Sequence, residues 1–283
     1  MNRVTIALTA LALALTAGQA YARGDDKQVA RSVSVGGSCY KCDLSGKKLT
    51  GARFMGANLA KAALVGADLR GATVIGSNFD AADLTRADLR SASMQGANFS
   101  RAVFVSAQLD GVEAAGANFG GADLSKAQLT GAELQGANFS RAVLIGADFS
   151  GAELKAVNLA KADAGGASFR GAEMVAANLT GGNFERANFR GAELKAAVLS
   201  DGEFAGADFR DASLYKTMLH GADLSRARGL TQDQLDEACG DGSTSLPGGL
   251  TVKTCRGVVI QHIRPPAPPK PAKPPRWIFS TAD

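Results

Sequence analysis

Four cysteines are the residues of this sequence best suited to specific chemistry. Cys39 and Cys42 form a Cys-x-x-Cys pair near one end, and Cys239 and Cys255 lie near the other. Such residues form structural disulfides, act as a redox dithiol or bind a metal. A redox dithiol usually lies at a helix N-terminus, which lowers the pKa of one thiol, and two distant pairs do not have the usual spacing of a zinc site. We therefore expect structural disulfides, with redox chemistry as the alternative for Cys39 and Cys42.

No other residues are spaced as a catalytic or metal site. The two histidines, His220 and His262, have no partner at the spacing of a metal site or a catalytic triad. No glycine-rich loop precedes a helix as in phosphate-binding sites. Carboxylates are frequent, but the repeat described below places them in solvent, where nothing raises their pKa for acid catalysis. The sequence therefore predicts a protein that is not an enzyme and has no cofactor and no metal.

A repeat of five residues must position these side chains. Leu, Phe, Met, Val or Ala occupies every fifth position from Leu44 to Leu224, and a small residue usually stands two places earlier. A helix repeats at 3.6 residues and a strand at 2, so neither explains this period. A short fixed period is typical of a solenoid, in which each unit buries its apolar residue against its neighbours. Glycine often follows the large residue by two places, which suits a tight corner with positive φ.

Several residue types also repeat at intervals of twenty, which indicates four units per coil. Equivalent residues would then form columns along the coil, with stacked amides at the strand spacing of about 4.8 Å. The columns are Asn58, Asn78, Asn98, Asn118, Asn138, Asn158 and Asn178; Phe79, Phe99, Phe119 and Phe139; Phe149, Phe169, Phe189 and Phe209; and Glu113, Glu133, Glu153, Glu173 and Glu193.

A short basic column accompanies the glutamates and consists of Arg170, Arg190 and Arg210. Arg170 and Arg190 stand three residues before Glu173 and Glu193, across one corner. We expect solvated ion pairs there, each contributing at most about 1 kcal/mol. The alternative is a ridge that binds anions or a polymer.

Units such as Ala67-Asp68-Leu69-Arg70-Gly71 resemble the pentapeptide repeat family. The resemblance covers about 185 of the 283 residues. It implies an all-β fold, a right-handed quadrilateral β-helix with Leu or Phe and the preceding Ala inside, here of about nine coils. Ala114 and Ala164 depart from the pattern at the large position, which predicts a local void or compensation by Phe104 and Phe184.

The first 22 residues predict export. Arg3 supplies a positive end, residues 6–17 an apolar segment and Ala20-Tyr21-Ala22 a cleavage site of the A-x-A type. At about 12 residues the apolar segment is too short to span a membrane. We therefore predict a signal peptide over 1–22 and a periplasmic or secreted bacterial protein that is not transmembrane.

An oxidising compartment allows disulfides, and the solenoid restricts their pairing. Nine coils would separate the two ends of the repeat by about 40 Å. We therefore expect Cys39 to bond to Cys42, and Cys239 to bond to Cys255.

Four segments follow the signal peptide. We predict an N-terminal linker over 23–38, the pentapeptide repeat β-helix over 39–227, a C-terminal cap over 228–257 and a Pro-rich basic tail over 258–283.

The cap contains the signals of a short helix. Thr231 and Gln234 predict its N-terminus with a capping box, and Leu230 and Leu235 predict a hydrophobic staple. Gly240 is expected to end it after Cys239. This helix would cover the open end of the solenoid, since exposed strand edges pair with other chains.

The tail differs in composition from the rest of the chain. Residues 265–275 read PPAPPKPAKPP, a polyproline-type segment that cannot pack a core. It is either a solvated spacer or an attachment to an anionic surface such as phospholipid or cell-wall polymer. The candidate surface-binding residues are Lys270, Lys273, Arg276 and Trp277.

The leading hypothesis is a non-catalytic scaffold or binding rod of the cell envelope, with an unknown protein or polymer as partner. The family resemblance implies an alternative, a DNA mimic that binds a topoisomerase. Predicted export and a nearly neutral repeat, with 19 Lys and Arg against 20 Asp and Glu over 43–227, disfavour that reading and make a nucleic-acid partner unlikely. The other alternative is a thiol–disulfide redox protein that uses the Cys-x-x-Cys pair.

Overall fold

The computed structural model describes residues 36–255 as a coil with a period of twenty residues. The predicted signal peptide, most of the predicted linker and residues 256–283 lie outside the described range. Residue i forms a parallel β-bridge with residue i+20, from Ser38 with Asn58 to Asp208 with Arg228. The bridges recur at every fifth residue, so each coil has four sides. This confirms the predicted period of twenty.

Tight turns form the corners between the sides. The small inward residue donates its amide hydrogen to the large residue three places earlier, as from Ala102 to the Phe99 carbonyl at 3.1 Å. The residue before the small one has positive φ, for example 61° at Gly96 and 57° at Arg101. Positive φ at this place is typical of a type II turn, which favours glycine there. Seventeen such corners nevertheless carry another residue type.

From Ala52 to Ala227 both inward positions of each unit are buried and form the core, whereas in the first coil only the large position is buried. The two predicted phenylalanine columns are confirmed: Phe119 and Phe139 have ring centroids 4.7 Å apart, and Phe149 and Phe169 have them 5.2 Å apart. These rings are stacked within 10° of parallel. Because parallel in-register strands place identical side chains above one another, the core grows by stacking along the rod.

Glycine replaces the inward alanine in two units that carry phenylalanine. A Cβ atom on Gly182 would lie 2.6 Å from Cε2 of Phe184, and one on Gly202 would lie 2.7 Å from Cε2 of Phe204. Non-bonded carbon atoms sit about 3.5–4.0 Å apart at best contact. The two rings therefore adopt these positions only because the glycines lack a side chain.

The two alanines at large positions, Ala114 and Ala164, are fully buried. Valine replaces the usual alanine at Val112, two places before Ala114, and adds volume within the same unit. Phe184 lies one coil after Ala164 in the same column, since Ala164 donates its amide hydrogen to the Asn183 carbonyl at 2.7 Å. The volume missing at Ala114 is thus supplied by Val112 in the same unit, and the volume missing at Ala164 is supplied by Phe184 in the next coil.

The asparagine column forms the predicted amide ladder. Each Nδ2 donates to Oδ1 of the asparagine one coil earlier, over 2.9 Å from Asn98 to Asn78 and 2.8 Å from Asn138 to Asn118. The same Oδ1 atoms accept the backbone amide two residues later, as from Ser100 to Asn98 at 3.2 Å. The ladder therefore ties consecutive coils together along one side.

The described chain beyond the repeat forms one helix and two short strands. Helix α1 spans Gln232–Asp236, strand β1 spans Cys239–Gly240, and strand β2 spans Lys253–Thr254, parallel to β1. Within residues 36–255 no helix is long and apolar enough to cross a membrane.

The capping box of α1 is confirmed, because Thr231 and Gln234 bond reciprocally. Leu235 is fully buried against the core, while Leu230 is partly buried there. The Gln234 side chain also bonds to the preceding coil, since its Nε2 donates to the carbonyls of Phe209 and Ala212 at 2.9 and 2.7 Å. The Ala212 carbonyl thus gains the donor that a further coil would supply, as Ser213 does for the Ala192 carbonyl one coil earlier.

The predicted end of the helix was wrong. The helix stops at Asp236 with Glu237 as its C-cap, and Gly240 lies in β1 rather than after a helix. The reason is tertiary: Cys239 forms a β-bridge with Met218 and continues one side of the solenoid.

We predict that Gly182→Ala lowers the free energy of unfolding by about 1–3 kcal/mol, as overpacking does in other cores. The double variant Gly182→Ala/Phe184→Leu restores the common Ala-x-Leu unit and should lose less stability than the two single changes added together. Urea unfolding measures both. Gly165→Ala is the control, because its Cβ would meet its nearest neighbour at an ordinary 3.6 Å. Strict additivity of the two changes would contradict the proposed contact.

Candidate functional site

The Cys39–Cys42 disulfide bridges a corner at the N-terminal end of the described repeat. The two Cα atoms are 5.2 Å apart, and the Cys42 amide donates to the Cys39 carbonyl at 3.2 Å. Cys39 is only 6% exposed, because it occupies the large inward position that Leu59 takes one coil later. Thiol–disulfide exchange requires direct attack on a sulfur. This burial therefore favours a structural staple over a redox pair.

The Cys239–Cys255 disulfide ties β1 to the residue that follows β2, with Cα atoms 4.9 Å apart. Sγ of Cys255 lies 3.9 Å from Nδ1 of His220. Sequence reasoning missed this contact, since the two residues are 35 positions apart and meet only because the cap folds over the last coil. His262 lies outside the described residues. Among residues 36–255 no group of three or more His, Cys, Asp or Glu could hold a metal ion.

Hydrogen bonds keep two aspartates ionised, the buried Asp208 and the half-buried Asp241. The Arg210 guanidinium donates to Asp208, with Nε 2.9 Å from Oδ1, and this bond lowers the Asp208 pKa to about 2. The Ser243 hydroxyl, 2.6 Å from Oδ1, and the amides of Gly221 and Ser243 lower the pKa of Asp241 to about 2. A carboxyl group that has lost its proton at neutral pH cannot serve as a general acid. Their bonds to Arg210, Ser243 and Gly221 therefore give both carboxylates a structural role.

The glutamate column is present, but its predicted ion pairs were wrong. Glu113, Glu133, Glu153, Glu173 and Glu193 follow one another through β-bridges. Within the described chain, neither Arg170 nor Arg190 pairs with the glutamate three residues later. Glu173 instead bonds Lys155 at 2.5 Å, which raises the Lys155 pKa, and Arg190 lies 3.4 Å from Asp211. In both of these pairs the partner lies in the adjacent coil, 18 and 21 positions away along the chain.

Another side of the rod alternates between acidic and apolar residues, and we call it the Asp–Val face. Asp83, Val103, Asp123, Val143 and Asp163 follow one another through β-bridges and form the centre of this face. Beside them lie Thr85, Val105, Ser125, Ile145 and Gly165. Acidic residues therefore recur every forty positions rather than every twenty, from Asp43 to Glu203. A search at multiples of the coil length would have found this signal in the sequence.

The predicted surface-binding residues of the tail, Lys270, Lys273, Arg276 and Trp277, lie outside the described residues. The described candidates are therefore the faces of the rod and the two cystine sites at its ends.

Comparison with known families identifies the repeat. The family model described as pentapeptide repeats (8 copies) matches residues 38–74, 82–121, 122–159, 152–191 and 192–228. No curated protein matches the chain.

Several solved structures are similar to this chain. HetL, a pentapeptide repeat protein involved in heterocyst differentiation regulation from the cyanobacterium Nostoc, is 26% identical over 77% of this chain and 86% of its own, with a TM-score of 0.32. Rfr23 from the cyanobacterium Cyanothece is 33% identical over 32% of this chain and 62% of its own, with a TM-score of 0.31. A trypsin-treated variant of QnrB1, a plasmid-mediated fluoroquinolone resistance protein, is 23% identical over 69% of this chain and 90% of its own, with a TM-score of 0.38.

The burial of Cys39 generates a prediction about its role. We expect Cys39→Ser/Cys42→Ser to lower the free energy of unfolding by about 2 kcal/mol, the loop-closure value for a very short loop. The native protein should not catalyse disulfide reduction in an insulin turbidity assay. Turnover in that assay, lost in the double variant, would contradict the structural role.

The low pKa of Asp208 predicts a pH dependence of stability. Because the folded value, about 2, lies below the ordinary 3.8, its contribution is fully present above pH 3.8 and is lost as pH falls through 2. Asp208→Asn should therefore destabilise the protein at pH 7 and have progressively less effect towards pH 2. Thermal melting across this range measures the difference, with Asp201→Asn at an exposed corner as the control. A pH-independent effect would contradict the assignment.

Proposed function

Because the chain belongs to the pentapeptide repeat family, whose members form right-handed quadrilateral β-helices, we propose that it is a non-catalytic binding rod of the bacterial cell envelope. In this proposal about nine coils form the rod, α1 closes its C-terminal end, and a protein or polymer partner binds its flat sides. The segments 1–22, 23–38, 39–227, 228–257 and 258–283 serve as signal peptide, linker, rod, cap and tail.

The observation that carries the proposal is the unbroken ladder between coils. Bridges at an interval of twenty run from Ser38 to Arg228 with stacked apolar side chains inside. Because apolar side chains fill the core, only the outward residues are available for recognition, and successive residues of one outward column lie about 4.8 Å apart. Such a surface suits recognition of an extended partner better than enclosure of a small substrate.

The envelope location is supported by the signal-peptide pattern over 1–22 and by the two disulfides. Both cystines lie at the ends of the rod. Structural disulfides persist mainly in oxidising compartments, such as the periplasm and the cell exterior. Both features agree with an exported protein.

The alternative of a DNA mimic has less support. Its binding to a topoisomerase would need a strongly acidic rod in the cytoplasm, whereas residues 43–227 hold 19 basic and 20 acidic residues. Ion pairs such as Arg70 with Asp68, at 2.7 Å, further neutralise its surface.

The test is co-sedimentation of the mature protein with purified cell wall and, separately, with vesicles of anionic phospholipid. A form that ends at Gly257 shows whether the rod or the tail binds, and the variant Lys270→Gln/Lys273→Gln/Arg276→Gln keeps the tail length without its charge. We expect binding at low salt and release near 1 M salt, where the Debye length is about 3 Å.

Each outcome is informative. Binding that the Gly257 form retains assigns the partner to the faces of the rod, and binding that both altered forms lose assigns it to the tail charges. The proposal fails if the mature protein binds neither material and captures no periplasmic partner at any salt concentration.

A further inference from the structure

The Asp–Val face has a repeat that is twice the coil spacing. Asp83, Asp123 and Asp163 are separated by two coils each, since Val103 and Val143 lie between them in the bridge ladder. With strands about 4.8 Å apart, the carboxylates recur at about 9.6 Å along the rod. A partner that matches this face must carry its own groups at the same interval.

The three carboxylates retain capacity to bind a cation. Oδ1 of Asp83, Asp123 and Asp163 accepts the backbone amide two residues later, at 2.9, 2.9 and 3.3 Å. No residue in the range 36–255 forms an ion pair with any of the three, and their Oδ2 atoms accept no hydrogen bond from that range. All three are half-buried, so each is held in place by the rod while it faces solvent.

Apolar side chains separate the carboxylates. Val103 and Val143 are half-buried, and Ile145 beside Val143 is 46% exposed. A matching partner therefore alternates a cation with an apolar group.

The tail of this chain has that alternation. Lys270, Lys273 and Arg276 are each three residues apart, and Pro271 and Pro274 lie between them. A polyproline II helix has three residues per turn and rises about 3.1 Å per residue, so equivalent groups recur about every 9.3 Å. The three cations would therefore lie on one side of the helix, at nearly the spacing of the carboxylates.

We propose that the tail docks as a polyproline II helix on the Asp–Val face of its own rod. It runs from the cap back towards the N-terminal end. Lys270 binds Asp163, Lys273 binds Asp123 and Arg276 binds Asp83, while Pro271 and Pro274 contact Val143 and Val103. Recognition of a preformed polyproline helix by alternate pockets and charges is a general mode of binding.

The chain is long enough for this contact. Fourteen residues, 256–269, connect Cys255 to Lys270, and at about 3.3 Å each they span up to about 46 Å. Asp163 lies about five coils below β2, or roughly 24 Å along the rod.

The size of the face favours a thin segment over a second copy of the rod. From Asp83 to Asp163 it is about 19 Å long and one side, about 10 Å, wide. That area of about 200 Å² is far below the roughly 800 Å² per partner of a standard protein interface. Tethering to the same chain compensates for a small contact by raising the effective concentration to about the millimolar range.

Trp277 is the only tryptophan in the chain and directly follows Arg276, so it reports docking in the full-length protein. The measurement is acrylamide quenching and anisotropy of Trp277 fluorescence at about 0.05 M and 1 M salt. We expect protection at low salt and its loss at high salt, because the Debye length shortens to about 3 Å at 1 M.

Variants separate this contact from general electrostatic attraction. Each exposed ion pair strengthens association about two- to fivefold, so Asp83→Asn/Asp123→Asn/Asp163→Asn should lower the docked-to-free ratio about ten- to a hundredfold. Asparagine preserves the fold, since Asn183 occupies the same column and accepts the Glu185 amide at 3.0 Å. The matched control, Glu113→Gln/Glu133→Gln/Glu153→Gln, removes equal charge from another face and should leave protection unchanged.

The spacing itself is tested by Ala272→Lys/Lys273→Ala, which keeps the composition but moves the central cation off the common side. We expect this exchange to reduce protection as the asparagine variant does. Protection that survives the exchange, or that the glutamine control abolishes, overturns the proposal. Protection that disappears on dilution assigns the contact to a second copy and overturns the intramolecular arrangement. The test is independent of the proposed envelope role, which stands or falls by sedimentation.

Discussion

The register between successive coils is the constraint on which the rest of this structure depends. From Ser38 to Arg228, the bridges between residue i and residue i+20 determine the place of each side chain. Because the ladder is parallel and in register, like residues stack upon like: phenylalanine on phenylalanine inside, asparagine on asparagine outside. The fold tolerates many outward residues, but it depends on each unit having five residues. Stability therefore depends on a constant unit length of five residues and on the side chains at the two inward positions.

Much of this architecture could be predicted because it repeats. A period of five and its multiple of twenty place the core, the corners and the columns without knowledge of any single contact. The Gly182 and Phe184 exchange was less visible, since it depends on which rotamer the ring adopts within one unit. Because the sequence repeats, its local pattern predicts which residues of successive coils come together.

The errors occurred where the repeat gives no information. Sequence spacing suggested that Arg190 would bind Glu193, but long side chains choose among several neighbours, and Arg190 reaches Asp211 instead. Gly240 looked like a helix end, yet the solenoid recruits it into a strand. The His220 and Cys255 contact joins the repeat to the cap, so no period describes it. Contacts that do not repeat could be identified only from the three-dimensional structure.

The four-sided coil also makes the protein sensitive to the phase of insertions. Loss of one unit of five residues would keep the core pattern intact but turn every later side by a quarter of a revolution. Loss of twenty residues would restore the sides yet exchange aspartate for valine along the Asp–Val face. Only a change of forty preserves both the sides and their alternation. Insertions and deletions that keep this surface therefore come in multiples of forty residues. Relatives that share the surface chemistry should differ in length by whole pairs of coils.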